Sequence, residues 1–157
     1  MEHADGLADL EHDHADLNER VRAVAAQVRA LGRQPDADAL ARVAAEMDEL
    51  REEIFVHFAR EEEGLFAYVT VHMVGFEDDV AALIGAHDAV CGAISRMLRS
   101  LRVDGPDRGH ELLLTVLDRL EVAYAAHARA ERDLLGRLAG SMSADQRAAL
   151  AAHVRAL

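Results

Sequence analysis

Lysine is absent from the 157 residues, cysteine occurs once, proline twice, and no apolar run approaches the roughly twenty residues that a membrane helix needs. Without lysine, Schiff-base catalysis and a phosphate loop ending in Gly-Lys are excluded. The single cysteine, Cys91, excludes an intrachain disulfide and a thiolate zinc cluster. Basic residues are few: 17 arginines stand against 29 acidic side chains, a net charge of −12 with histidine neutral. That balance excludes a general binder of nucleic acid or of an anionic membrane, since either needs a basic surface. The opening MEHADGLADLEHDHAD is acidic and lacks the apolar stretch of a secretion signal, so a reducing cytoplasm is the expected setting.

Ala, Leu and Val dominate the 51% of apolar residues, a composition of helices. The length suits one domain spanning 1–157. Four punctuation points divide it. Gly32 suits the left-handed position after a helix, and Pro35 with Asp36 the start of the next. Gly75 marks a second break after His72, and Asp104-Gly105-Pro106-Asp107 a third. Gly140-Ser141-Met142-Ser143 is the fourth, where Ser143 and Gln146 form a capping box for a short last helix over about 143–155.

Between these points apolar residues recur at alternating steps of three and four. The stripes read Leu7, Leu10, His14, Leu17, Val21, Val24, Val28; then Leu40, Val43, Met47, Leu50, Ile54, His57, Glu61, Gly64 or Leu65, Tyr68; then Phe76, Val80, Leu83, His87, Val90, Ile94, Met97, Leu101; then Leu113, Leu117, Leu120, Tyr124, His127, Glu131, Leu134, Leu138. A sustained step of 3.5 belongs to helices packed at shallow angles, and short connections make neighbours antiparallel. The expected fold is all-α: an up-down-up-down antiparallel four-helix bundle over about 5–140, with a short C-terminal helix.

Each stripe places a histidine where Leu or Val would stand: His14, His57, His87 and His127. In two of them a glutamate follows one turn later, Glu61 and Glu131, so each pair offers a nitrogen and a carboxylate to one point. The levels agree when counted from the turns. His14 lies 18 residues before Gly32 and His57 21 after Asp36; His57 lies 15 before His72 and His87 11 after Phe76; His87 lies 16 before Val103 and His127 20 after Asp107. Each mismatch is roughly 5–6 Å at 1.5 Å per residue, within side-chain reach.

Two buried carboxylates beside four imidazoles, with no arginine on these stripes, need positive charge from elsewhere. A metal centre supplies it. Six ligands exceed one tetrahedral zinc but suit two metals, each with two histidines and both bridged by the glutamates. Ligand type alone is compatible with iron, manganese or zinc. The bland alternative, four core histidines satisfied by packing, does not account for one on every stripe at one level. A metal-free structural bundle would be stabilised by replacing His57 with Leu.

This ordered set resembles the hemerythrin family, the HHE cation-binding domain: one His on the first helix, His-x-x-x-Glu on the second, one His on the third, His-x-x-x-Glu on the fourth. The surroundings are similar too, in HDHADL around His14, HFAREEEGLF from His57 and HARAERDLL from His127. The resemblance implies two non-haem iron ions, oxo- or hydroxo-bridged, with the four histidines as terminal ligands and the two glutamates as bridges. Three positions depart from the oxygen-carrying members. Cys91 stands where they have a second third-helix histidine, Glu131 follows His127 by four residues rather than being an aspartate at five, and Ala67 replaces the proline that follows Leu-Phe. The first two resemble the four-histidine, two-glutamate branch that includes iron–sulfur repair and nitric-oxide-responsive proteins. One nitrogen ligand fewer leaves a place for water, peroxide or nitric oxide and favours reactivity over inert storage.

The function this implies is binding or reduction of a small oxidant (dioxygen, hydrogen peroxide or nitric oxide) in a stress response, by a monomer or weak homodimer. The alternative is a metal-dependent sensor or iron-handling module that docks to a protein partner, with Leu150, Val154 and Leu157 of the last helix as the candidate surface. Two further residues are candidates for the chemistry. Cys91, a turn beyond His87, is either a redox partner of the metals or a small buried filler. Tyr124, a turn before His127, either donates a hydrogen bond to a ligand at the metals or simply buries its ring. Phe58 and Phe66 make the approach apolar or fill the core, and His12 is the register rival of His14. Glu52, Glu53, Glu62 and Glu63 form a charge run read as a solvated face, or as a route for iron delivery.

Overall fold

The computed structural model describes residues 6–104 and 109–156. Helix α1 spans Gly6–Ala30 and α2 spans Ala37–Arg60. The second rod continues without a break through a π-helical turn, Glu61–Phe66, into α3, Ala67–His72. Helix α4, Glu77–Arg99, is extended by a second π-helical turn, Ser100–Asp104. Helix α5 covers His110–Ser141 and α6 covers Ala144–Arg155. The four long rods close a ring: α1 packs on α2 and α5, α2 on α4, and α4 on α5. This is the antiparallel four-helix bundle that the stripes call for, with α6 laid across the end of α1 and the first π turn.

The punctuation residues act as their chemistry requires. Gly32 has φ +68° and Gly75 φ +90°, left-handed backbone that a Cβ disfavours. Asp36 caps α2 by accepting the Ala39 amide at 2.7 Å, and Ser143 with Gln146 forms a complete capping box on α6. Most of the Asp104–Asp107 turn lies outside the described residues.

Three features differ from the sequence reading. First, Leu150 of α6 is fully buried and Val154 packs against the same cluster, so the last helix closes the bundle end instead of presenting an apolar docking patch; Leu157 lies outside the described residues. Second, the segment Glu77–Val103 is long and apolar enough to cross a membrane by length and composition. Its apolar stripe is spent on the bundle interior, from Val80 to Leu101. Third, the two π turns have no counterpart in a strict three-and-four step.

The core is cut in two. One apolar cluster, from Leu17, Ile54 and Phe58 to Val90 and Leu120, lies toward the α1–α2 turn. The other, from Leu10, Leu65 and Phe66 to Leu83, Leu138 and Leu150, lies toward α6. Between them the buried polar residues are His57, Glu61, His87, His127 and Glu131. Packing against this layer sets the stability of each half. Ile54→Ala, at a fully buried site, is expected to cost about 2–5 kcal/mol in denaturant unfolding. Val71→Ala, at a side chain 75% exposed, is expected to change stability by less than about 0.5 kcal/mol.

Candidate metal centre

Each rod delivers its polar residues by helical spacing. His57 and Glu61, and His127 and Glu131, are one turn apart on α2 and α5, while His14 comes from α1 and His87 from α4. All six converge, as the stripes indicated. The ligand atoms of His14, His57, Glu61 and Glu131 lie within 4.8 Å of one another, and so do those of Glu61, His87 and His127.

Glu61 is the hub and is wholly inaccessible to solvent. Its Oε1 faces one histidine pair, with His14 Nε2 at 2.8 Å and His57 Nε2 at 2.6 Å. Its Oε2 faces the other, with His87 Nε2 at 3.0 Å and His127 Nε2 at 4.0 Å. Glu131 repeats the division: Oε1 stands 3.0 Å from His14 Nε2 and Oε2 3.4 Å from His127 Nε2. Each carboxylate thus spans both histidine pairs.

The electrostatics are unbalanced. Burial opposes charge on His14, but Glu131 and Glu61 outweigh it and raise its pKa to about 10. Burial, with Glu61 alongside, pushes the Glu131 carboxyl up to about 9, whereas hydrogen bonds to its neighbours hold Glu61 well below the usual carboxylate range against its own burial. Burial drives His127 down to about 4 against the pull of Glu61. Two carboxyls this close, in a dry layer, cannot both ionise without added positive charge.

The unpaired atoms point the same way. Glu61 Oε2, His57 Nε2 and both Glu131 oxygens are buried without a hydrogen-bond partner. On α4, His87 Nδ1–H donates to Glu62 Oε1 at 2.7 Å. In the neutral ring this leaves Nε2 as a lone pair, aimed at Glu61 Oε2 at 3.0 Å and His127 Nε2 at 3.0 Å. His127 Nε2–H can donate to that lone pair, but Glu61 Oε2 meets it as acceptor against acceptor, a contact that repels unless a cation sits between them. The donor set and its orphaned atoms therefore fit metal ions.

Glu62 corrects the reading of the charge run as a solvated face. Its side chain is 41% exposed, yet it holds the outer nitrogen of His87. The π turn makes this double grip available, because adjacent residues Glu61 and Glu62 reach the two nitrogens of one ring. The only sequence sign was the hesitation between Gly64 and Leu65 in the stripe; both are buried, with Phe66. Phe58 stacks on His87 at 3.7 Å between centroids, and Phe66 lies 5.5 Å away. His12 pairs with Asp16 on the exposed side of α1, settling the register in favour of His14.

Cys91 is partly buried against the α1–α2 half of the core, outside the converging ligand atoms. Burial and the charges of Asp88 and Glu62 push its thiol up, away from a reactive thiolate. Tyr124 is buried, 6.0 Å from the His127 ring, and burial with the charges of Glu131 and Glu61 keeps its hydroxyl protonated. It lines a cavity of about 300 Å³ between α1 and α5, together with His14, His127 and Glu131.

Residues 5–139 match the family model of the hemerythrin HHE cation binding domain. No curated protein and no solved structure matches the chain. The match runs from α1 through all but the last two residues of α5 and includes every residue of the polar layer.

Cys91→Ala is expected to leave the metal content of purified protein unchanged, as measured by elemental analysis. A loss of metal would return the thiol to the centre.

Proposed function

This chain belongs to the hemerythrin HHE cation-binding family, a metal-binding module, and on that premise we propose that it holds two iron ions and uses them to bind or reduce a small oxidant. Dioxygen, hydrogen peroxide and nitric oxide are the candidates, in a cytoplasmic stress response. One ion would take His14, His57 and Oε1 of both glutamates, and the other His87, His127 and Oε2 of both. The observation that carries this reading is the division of each carboxylate between two histidine pairs, with buried polar atoms left without hydrogen-bond partners.

When bound, iron in this set supplies open coordination positions and reversible electron transfer. The chain's own residues supply the rest. His14, the one member of the six with partial exposure, lies beside the cavity on α1. Glu62 fixes the tautomer of His87 and keeps its Nε2 free to ligate. Tyr124 keeps its proton and can donate it as a hydrogen bond to a ligand in the cavity. Phe58 and Phe66 exclude water around His87.

The test is iron content of natively purified protein with optical spectra before and after peroxide. Two irons per chain and near-ultraviolet bands of a bridged pair are expected; a metal-free protein, or a mononuclear spectrum, would overturn the reading. His57→Leu is expected to abolish iron binding. Glu62→Ala is expected to weaken iron affinity by about 10–100-fold in chelator competition, with Glu62→Gln, which keeps an acceptor oxygen, recovering part of the loss.

A further inference from the structure

The charges on the two sides of α1 are segregated. Between α1 and α2 a cavity of about 580 Å³ is lined by four acids, Asp13, Asp16, Glu52 and Glu53, against two arginines, Arg60 and Arg20, the latter tied to Glu46, Glu49 and Glu53. Between α1 and α5 the lining is basic. Cavities of about 300 and 370 Å³ share Asn18, Tyr124, Ala128 and Arg132 and together form one cleft. Arg22 and Arg129 line its outer part, and His14, His127 and Glu131 form its floor.

Helical spacing builds this cleft. His14, Asn18 and Arg22 descend one face of α1 at steps of four, and Tyr124, Ala128 and Arg132 do the same on α5. Ala128, with only a methyl group, leaves the gap open between them. All three arginines are exposed, and none has an ion-pair or hydrogen-bond partner among the described residues. The one acid on the outer lining, Glu121, is engaged by Arg29. In a chain of net charge −12, three free guanidiniums around the opening to the metal layer form a local positive field against the overall one.

We infer that the α1–α5 cleft admits a small monovalent inorganic anion to the centre, with Arg22, Arg129 and Arg132 drawing it in and Asn18 and Tyr124 offering hydrogen bonds along the way. This rests on the metal-centre reading and adds small inorganic anions to the neutral ligands that the centre would take. Arginine suits the task, because its planar fork binds oxygen atoms in pairs and never loses its charge. Neutral diatomics gain nothing from such a field. A cation would be repelled from this side.

The test uses azide, a small anion, against nitric oxide, a neutral ligand, with the iron-loaded protein and an Arg22→Gln, Arg129→Gln, Arg132→Gln triple variant. Stopped-flow association of azide is expected to slow by about tenfold in the variant and to lose its dependence on salt, while nitric oxide association stays within about twofold. An unchanged azide rate, or equal slowing of both ligands, would overturn the inference. Bromide soaked into crystals of the protein reads the cleft without any metal signal: anomalous peaks beside these arginines support it, and a cleft without peaks counts against it. If the chain takes up no iron the metal-centre reading fails at that step, and the bromide result alone decides the anion site.

Discussion

Two carboxyl groups held in contact with four imidazoles, inside a bundle whose other core positions are apolar, set the terms for everything else in this molecule. An isolated buried carboxylate costs several kcal/mol or gives up its charge, and here the second response is visible. Glu131 is driven toward its neutral form while Glu61 keeps its charge with help from His14. Such a layer adds little to stability by itself. It persists because an apolar cluster on each side, one around Ile54 and Ile94 and the other around Leu65 and Leu138, holds the four rods in register. The rods supply the stability, and the polar layer draws on it to hold a set of ligand atoms ready for cations.

The fold and the six converging residues were legible because both follow from helical periodicity. A histidine on a stripe of leucines is visible without a structure, and turn residues such as Gly32 and Ser143 set the levels. Contacts that depend on departures from periodicity were not legible. The π turn at Glu61–Phe66 inserts an extra residue per turn, so a count by threes and fours sends Glu62 to solvent when it reaches His87. The burial of Leu150 was equally hidden, because α6 is too short for its own stripe to say which surface it meets. The α1–α5 cleft escaped for a further reason. Its residues lie on two helices distant in sequence, and Arg132 and Asn18 look like ordinary surface positions on either alone.

The two halves of the centre are not equivalent. The His87–His127 half is the more buried: Phe58 and Phe66 cover His87, Glu62 fixes its outer nitrogen, and the Nδ1 of His127 is buried without a partner. The half with His14 is looser, since α1 leaves this ring partly exposed. A carboxylate–histidine link makes the imidazole a stronger donor and fixes its orientation. The half with His87 is therefore the more rigidly positioned, and the half with His14 the more open to solvent.

That asymmetry gives the charge segregation around α1 its meaning. A single helix separates an acidic surface from a basic one, and the ligand that α1 contributes, His14, lies between them. On the α2 side acids outnumber arginines around the cavity that His57 lines, and on the α5 side arginines outnumber acids around the cleft that His127 and Glu131 line. Because the Debye length is about 8 Å at physiological salt, these fields act only near the openings, so the two sides work independently. A bundle with one uniformly acidic surface would repel anions at every gap. Dividing the charge across α1 lets one small protein present a cation-friendly face and an anion-friendly face to the same buried layer.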